Sequence, residues 1–136
     1  SWDFTFCSHV LEHLERPGMA CRELMRISRK GYIEVPTRTS DVMLNFTRLH
    51  DHHRWHGQVL GGTLVFIEWT EGERRDMGTN YFFRCLHSKI HNPFQSMYEN
   101  NWESFAAMLH WTDRFDFLVI DKRGLIVDAS SECPRC

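Results

Sequence analysis

The sequence predicts an α/β domain in which helices cover a mainly parallel sheet. A buried strand pattern, an amphipathic helix pattern and a second strand pattern follow one another within residues 2–36. A strand–helix–strand unit of this kind is normally a parallel crossover. Parallel sheets need cover on both faces, which implies layers of helices and strands. The chain has 136 residues, enough for one domain with a buried core.

The first three elements follow from residue patterning. Residues 2–7 form an aromatic and apolar run with Asp3 and Thr5 interleaved, which is typical of a buried strand. Pro17 suits the first turn of a helix, and the apolar stripe that follows repeats at the helical period. Lys30 and Gly31 are expected to end this helix. The next strand, GYIEVP, closes at a proline.

The remaining hundred residues carry weaker signals. Residues 37–57 read as a polar loop with one helical turn at 40–46, and a hairpin follows with its turn at Gly61–Gly62. Residues 71–80 read as a charged, solvated loop. A second helix is predicted over residues 99–110, and residues 115–130 read as two strands joined at 122–124. The apolar face of that second helix is predicted to consist of Trp102, Phe105, Ala106 and Leu109.

Composition and charge limit the possible partners. The formal net charge of −2 gives no general attraction to nucleic acid or to an anionic membrane. No apolar run approaches the roughly 20 residues that span a bilayer. Five cysteines, an odd number without a framework spacing, favour a reduced and therefore cytoplasmic setting. The chain starts without a methionine and directly in a strand, so we expect it to be a piece of a longer protein.

The stretch CSHVLEHLERP carries several ionisable side chains directly after the first strand. If residues 8–15 are helical, His9, Glu12 and His13 share one face, and Val10 and Leu14 turn toward the core. Imidazole and carboxylate groups at this spacing can bind a divalent metal ion. A histidine here can also act as a general base. The structural alternative is a strand-to-helix turn in which Ser8 is the helix N-cap.

Residues 2–36 resemble the second half of a class I S-adenosylmethionine-dependent methyltransferase domain. The resemblance lies in a strand that ends near "HVLEH", a helix started by Pro17 with "ELMR", and the strand that begins at Gly31. Within the superfamily the chain is most similar to the small-molecule group that includes the quinone-biosynthesis methyltransferases. The resemblance implies a Rossmann-like fold with an antiparallel strand pair at the C-terminal edge, here residues 115–130. It also implies one domain over residues 1–136 with an insertion at about 37–98.

The resemblance further implies a function and its residues. S-adenosylmethionine would be the methyl donor and a small molecule the acceptor. Cys7, Ser8 and His9 would line the methionine end of the cofactor, and His9 and His13 would be the catalytic residues. The family's glycine-rich loop, and its acidic residue that holds the ribose, would lie before Ser1. The expected partner is therefore the N-terminal half of the same domain, without which the chain is expected to be inactive.

A metal-binding set is implied by two branches of the superfamily. The quinone O-methyltransferases and the small-RNA 2'-O-methyltransferases carry a metal-binding E-x-x-E-H at this place. Glu12 and His13 match its last two positions, and His9 stands in place of the first glutamate. The RNA branch adds a downstream histidine in a "DH..W" context. The candidates for it here are His50, His52, His53 and His56, and Asp51–His52 is the closest match. The implied metal ligands are His9, Glu12, His13 and His52.

Two other functions remain open. The chain can be a non-catalytic remnant or interaction module that keeps the strand–helix–strand core without the cofactor half. It can also be a fragment of a metal-dependent RNA 2'-O-methyltransferase. Other relatives carry a similar "vLEH" without metal, so the histidines can instead line the acceptor pocket or have a structural role. Glu34 lies near the end of the second strand, facing either the ligand or solvent, and Trp55 is a candidate cover for the acceptor pocket.

Overall fold

The computed structural model describes residues 2–44, 53–76 and 81–130 and shows an α/β arrangement with two small sheets. No helix in these ranges is long and apolar enough to cross a membrane. The strands are β1 (Thr5–Ser8), β2 (Lys30–Pro36), β3 (Trp55–Leu60), β4 (Thr63–Glu68), β5 (Ala106–Thr112), β6 (Asp116–Ile120) and β7 (Ile126–Ala129). The α-helices are α1 (Pro17–Ile27), α2 (Arg38–Leu44), α3 (Glu71–Asp76), α4 (Tyr81–Leu86), α5 (Pro93–Asn100) and α6 (Trp102–Phe105), and a 3-10 helix spans Leu11–His13.

The predicted strand–helix–strand unit is confirmed. β1 and β2 pair in parallel, with Cys7 opposite Ile33, and α1 connects them. Pro17 is the first residue of α1, as predicted. Cys21 on the apolar stripe of α1 is fully buried, and Ala20 and Leu24 pack against the same core. Local patterning therefore determines this part of the fold.

The predicted helix over residues 99–110 is wrong in its second half. α5 and α6 end at Phe105, and residues 106–112 form β5, which pairs antiparallel with β2. Along β5, Ala107, Leu109 and Trp111 are buried, whereas His110 is exposed. This alternation has the period of a strand. The unpaired side of β2 offers a full row of backbone hydrogen bonds, which overrides the helical preference of the apolar residues.

The hairpin and the C-terminal strand pair form a second sheet. Gly61 and Gly62 make the predicted turn between β3 and β4, with φ values of 57° and 82° that glycine adopts readily. β6 and β7 pair antiparallel as predicted, but not at the edge of the β1–β2 sheet. β6 instead pairs in parallel with β4, which gives the strand order β3-β4-β6-β7. The residues predicted to form a charged loop at 71–80 contain helix α3.

The two sheets and α1 enclose one hydrophobic core. It contains Ile33 and Val35 from the first sheet, and Phe66 and Phe117 from the second. Gly57 on β3 lies so close to the Val35 side chain that a methyl group there would collide with it. Close contact between the sheets fixes the position of the segment that leads into β3, next to the carboxyl end of β1.

Candidate functional site

The carboxyl ends of β1 and β2 form a polar edge. Ser8 is the last residue of β1, and His9 adopts a left-handed backbone conformation with φ of 56°. Such a conformation is uncommon for a residue other than glycine and is often found at functional sites. It ends the strand and leaves 52% of the His9 side chain exposed. Cys7, predicted to line the cofactor, is 9% exposed and belongs to the core beneath this edge.

Glu34 organises the hydrogen bonds of the polar edge. Its Oε1 accepts a hydrogen bond of 2.6 Å from the Tyr32 hydroxyl, and its Oε2 accepts one of 3.1 Å from the Ser8 hydroxyl. The Nε2 atom of His9 lies 2.9 Å from Glu34 Oε2. Glu34 therefore faces the polar edge, and Ser8 bonds to this carboxylate and does not cap a helix.

His9 lies between two carboxylates. Its Nδ1 is 3.6 Å from Glu12 Oε1, and its Nε2 contacts Glu34. The Glu12 carboxylate, with a smaller contribution from Glu34, raises the pKa of His9, although partial burial opposes the change. Negative charge beside an imidazole favours its protonated form. His9 therefore carries a positive charge up to a higher pH than an isolated histidine does.

The HVLEH segment is not the α-helix that its spacing predicts. A 3-10 helix over Leu11–His13 replaces it, because His9 turns the chain sharply at the end of β1. Leu11 fills the core at 1% exposure, whereas Val10, predicted to face the core, is 47% exposed. The 3-10 turn still aims Glu12 inward and leaves the side chain of His13 35% exposed.

Glu12 lies at the centre of a histidine–carboxylate cluster. Its side chain is fully buried, and its Oε1 is 3.6 Å from His13 Nε2. Glu12, His13 and His53 each place one potential ligand atom within 4.8 Å of the others. The rings of His13 and His53 meet edge to face with their centroids 5.0 Å apart. The predicted ligand His52 lies outside the described residues, and the neighbouring His53 occupies this position in the cluster.

Asp41 holds His53 from the opposite side. Its Oδ1 is 2.5 Å from His53 Nδ1, and its Oδ2 accepts a hydrogen bond of 3.0 Å from Trp69 Nε1. Asp41 is fully buried, and burial raises its pKa, while the bonds from His53 and Trp69 oppose the rise. α2 supplies Asp41, which contacts the His53 ring, and the end of the hairpin supplies Trp69, which holds Asp41, so two other segments fix the His53 ring.

A cleft of about 790 Å³ opens on the other side of Trp69. It begins at Thr37, directly after β2, and is lined by Arg38, His56 and Glu73 among others. The ring of His56 packs on that of Trp69 with centroids 4.4 Å apart, and the Arg38 guanidinium lies over the same indole. The Trp69 side chain thus contacts both Asp41 and the wall of the cleft.

Sequence reasoning missed Asp41 and Trp69 as members of the site. The "DH..W" comparison offered His53 among its candidates but selected His52, which lies outside the described residues, so that choice stays a prediction. Asp41 and Trp69 carry no spacing signal, because their relation to His53 exists only after folding. Trp55, a predicted pocket cover, is instead a core residue at 3% exposure whose Nε1 donates to the backbone oxygen of Leu14.

Comparisons with known proteins add no relative. No protein-family model matches the chain, and neither the curated proteins nor the solved structures contain a match. The function must therefore be argued from the residues and their geometry.

Proposed function

We propose that this chain is the C-terminal part of a Rossmann-like, S-adenosylmethionine-dependent methyltransferase domain that acts on a small molecule. The observation that carries the proposal is the polar edge at the carboxyl ends of β1 and β2, where Ser8, His9 and Glu34 meet. Ligands of open α/β sheets bind at such edges. The same residues lie in the part of the sequence that resembles the methyltransferase superfamily.

The polar edge offers groups that suit the methionine end of the cofactor, which carries an ammonium and a carboxylate. Glu34 is a carboxylate with only 12% of its side chain exposed, a suitable partner for an ammonium group. His9 is half-exposed and, when protonated, suits a carboxylate. Ser8 and His9 would thus hold the cofactor together with Glu34, above the buried Cys7. When bound, the cofactor supplies a methyl group on a sulfonium centre.

The acceptor is better matched by a small molecule than by nucleic acid. The cleft beside Trp69 has the volume of a small-molecule site. In the described part of the chain, seven arginines each pair with a carboxylate, so their charge is already compensated. Binding to a phosphate backbone relies on uncompensated basic groups. These observations favour a small acceptor over RNA.

The protein's contribution to methyl transfer would be mainly alignment of the acceptor with the methyl group. His13, with about a third of its side chain exposed at the edge of the cluster, can take the proton of an acceptor hydroxyl. His9 would face the cofactor through its imidazole. His9 would therefore act at the polar edge, and His13 at the exposed side of the histidine–carboxylate cluster.

The test is calorimetric titration of the natural protein that carries this chain with S-adenosylmethionine, together with a methyl-transfer assay using labelled cofactor. We expect saturable binding that Glu34→Gln weakens about tenfold or more, because a charged partner of the ammonium is lost. We expect His13→Gln to lower turnover about 100-fold while changing cofactor affinity far less.

Glu23→Gln is the matched control, since Glu23 is an exposed carboxylate on α1 that pairs with Arg26. This variant should bind the cofactor like the wild type. A folded natural protein that binds neither S-adenosylmethionine nor S-adenosylhomocysteine would refute the proposal and leave the non-catalytic module as the better description.

A further inference from the structure

The Glu12 carboxylate is buried without a hydrogen-bond partner among the described residues. It has no exposed surface, and neither of its oxygens has a hydrogen-bond partner in the described part of the chain. A buried ionised carboxylate without a partner is costly, and such groups in proteins are normally paired or bound to a metal. The nearby His13 nitrogen, at 3.6 Å, is beyond hydrogen-bond distance. This carboxylate is therefore a candidate ligand for a bound cation.

The distance between the Glu12 and His13 ligand atoms matches that between two ligands of one metal ion. Two ligands bound at about 2.0–2.2 Å with tetrahedral angles lie about 3.3–3.6 Å from each other. The Glu12 Oε1 to His13 Nε2 distance of 3.6 Å agrees with this value. The potential ligand atom of His53 completes the group within 4.8 Å. We propose that Glu12, His13 and His53 bind a divalent transition-metal ion of the zinc class, with Asp41 as the positioning residue for His53.

Asp41 gives His53 the tautomer that a metal requires. A histidine that donates its Nδ1–H to a carboxylate presents the lone pair of Nε2. Asp41 accepts from His53 Nδ1 at 2.5 Å and is itself anchored by the Trp69 indole. This is the carboxylate–histidine–metal arrangement that is common around protein-bound zinc. It also places two buried carboxylates, those of Glu12 and Asp41, beside the two imidazoles, and a bound divalent cation would favour the charged form of both carboxylates.

Two chain segments hold the ligands in place before any metal binds. Glu12 and His13 belong to the 3-10 turn after β1, and His53 precedes β3. The Arg54 backbone N–H donates a hydrogen bond of 2.8 Å to the Glu12 backbone oxygen and ties the segments together. The described residues offer three protein ligands, of which His13 is partly exposed, and catalytic metal sites commonly have three protein ligands and one open position.

The ligand types select the kind of ion. Two imidazoles and one carboxylate suit zinc, manganese, iron or cobalt, whereas magnesium and calcium prefer oxygen ligands. The set differs from the one implied by the resemblance, because it contains His53 and does not contain His9. The Nδ1 atom of His9 is also 3.6 Å from Glu12 Oε1, but its Nε2 contacts Glu34 at 2.9 Å, and His9 is not part of the group whose ligand atoms lie within 4.8 Å of one another. The proposal rests on the chain's own geometry and not on methyl transfer. In a protein that holds the metal, His13 would be a ligand and would not act as the general base.

The test uses the natural protein that carries this chain, depleted of metal and then titrated with Zn²⁺ and with Co²⁺. The visible absorption of Co²⁺ reports its coordination. We expect about one ion per chain with nitrogen and oxygen ligation. Glu12→Gln should abolish specific binding, and Asp41→Asn should weaken it about 10–100-fold by releasing the His53 ring. Glu23→Gln, which changes an exposed carboxylate on α1, is the control and should leave the stoichiometry and the Co²⁺ spectrum unchanged.

A thermal unfolding measurement distinguishes loss of metal binding from loss of folding in the Glu12→Gln variant. Without metal, Glu12→Gln should unfold at the same temperature as the wild type or higher, because it removes a buried carboxylate that lacks a hydrogen-bond partner. With excess Zn²⁺ the wild type should unfold at a higher temperature than Glu12→Gln, since only the wild type gains stability from bound metal. The proposal is overturned if the wild type binds no Zn²⁺ or Co²⁺. It is equally overturned if both variants keep full affinity, which would assign the ion to other histidines.

Discussion

His56 makes the stability of this protein depend on pH in a defined window. Its side chain is 6% exposed and packs on the Trp69 ring at the wall of the cleft. Burial lowers the pKa of His56 to about 4 from the ordinary value of 6.5; nearby Arg38 adds to the effect and Glu73 opposes it. Between pH 6.5 and about 4, the unfolded chain binds a proton at this position that the folded chain excludes. Stability must therefore fall as pH falls through this window.

The magnitude follows from the size of the shift. One pKa unit corresponds to about 1.4 kcal/mol, so the change from 6.5 to about 4 is worth about 3 kcal/mol. The free energy of unfolding should be independent of this group above pH 6.5. It should then decrease by up to about 1.4 kcal/mol per pH unit toward pH 4. A loss of this size is a large fraction of the stability of a small domain.

The assay is urea unfolding of the wild type and of His56→Phe at a series of pH values from about 8 to about 4. Phenylalanine keeps an aromatic ring against Trp69 but cannot take a proton. We expect the free energy of unfolding of the variant, relative to the wild type, to rise by about 3 kcal/mol as pH falls to about 4. His110→Phe, which removes an exposed imidazole on β5, is the matched control. Parallel curves for the wild type and His56→Phe would show that His56 is not kept neutral by burial and would refute the reasoning.

Two further predictions concern the framework of the site. Gly31→Ala places a methyl group 2.5 Å from the Thr5 backbone oxygen, so it should lower the free energy of unfolding by about 1–3 kcal/mol. Gly72→Ala on α3 has no close neighbour and should be neutral or slightly stabilising; equal melting temperatures for the two variants would contradict the packing of β1 on β2. Asp128 forms two hydrogen bonds with Arg22 at 2.6 and 2.9 Å, which lowers the pKa of Asp128 below its ordinary 3.8. Asp128→Asn should therefore cost about 1 kcal/mol at neutral pH and progressively less as pH falls below 3.8, and an equal cost at both ends of a pH series of thermal melts would disprove this contribution.

Sequence patterning predicted the elements whose signals are local. The helix start at Pro17 and the hairpin turn at Gly61–Gly62 follow from the backbone preferences of proline and glycine, which act within a few residues. β5 could not be predicted in this way, because AAMLHW suits a helix as well as a strand. Its state is decided by pairing with β2, some seventy residues earlier in the chain.

The candidate site also has a part that the local sequence predicts and a part that only the fold determines. Glu12 and His13 are neighbours in the chain, so the sequence by itself determined that a carboxylate and an imidazole lie side by side after the first strand. Only the tertiary structure decided what they meet: the chain turns at His9 and forms a 3-10 helix, which aims Glu12 inward. Packing of the second sheet on the first then carries His53 to them, with Asp41 behind it. Spacing along the chain reports neighbours within a turn or two, whereas a cluster assembled from separate segments depends on long-range packing that no local pattern encodes.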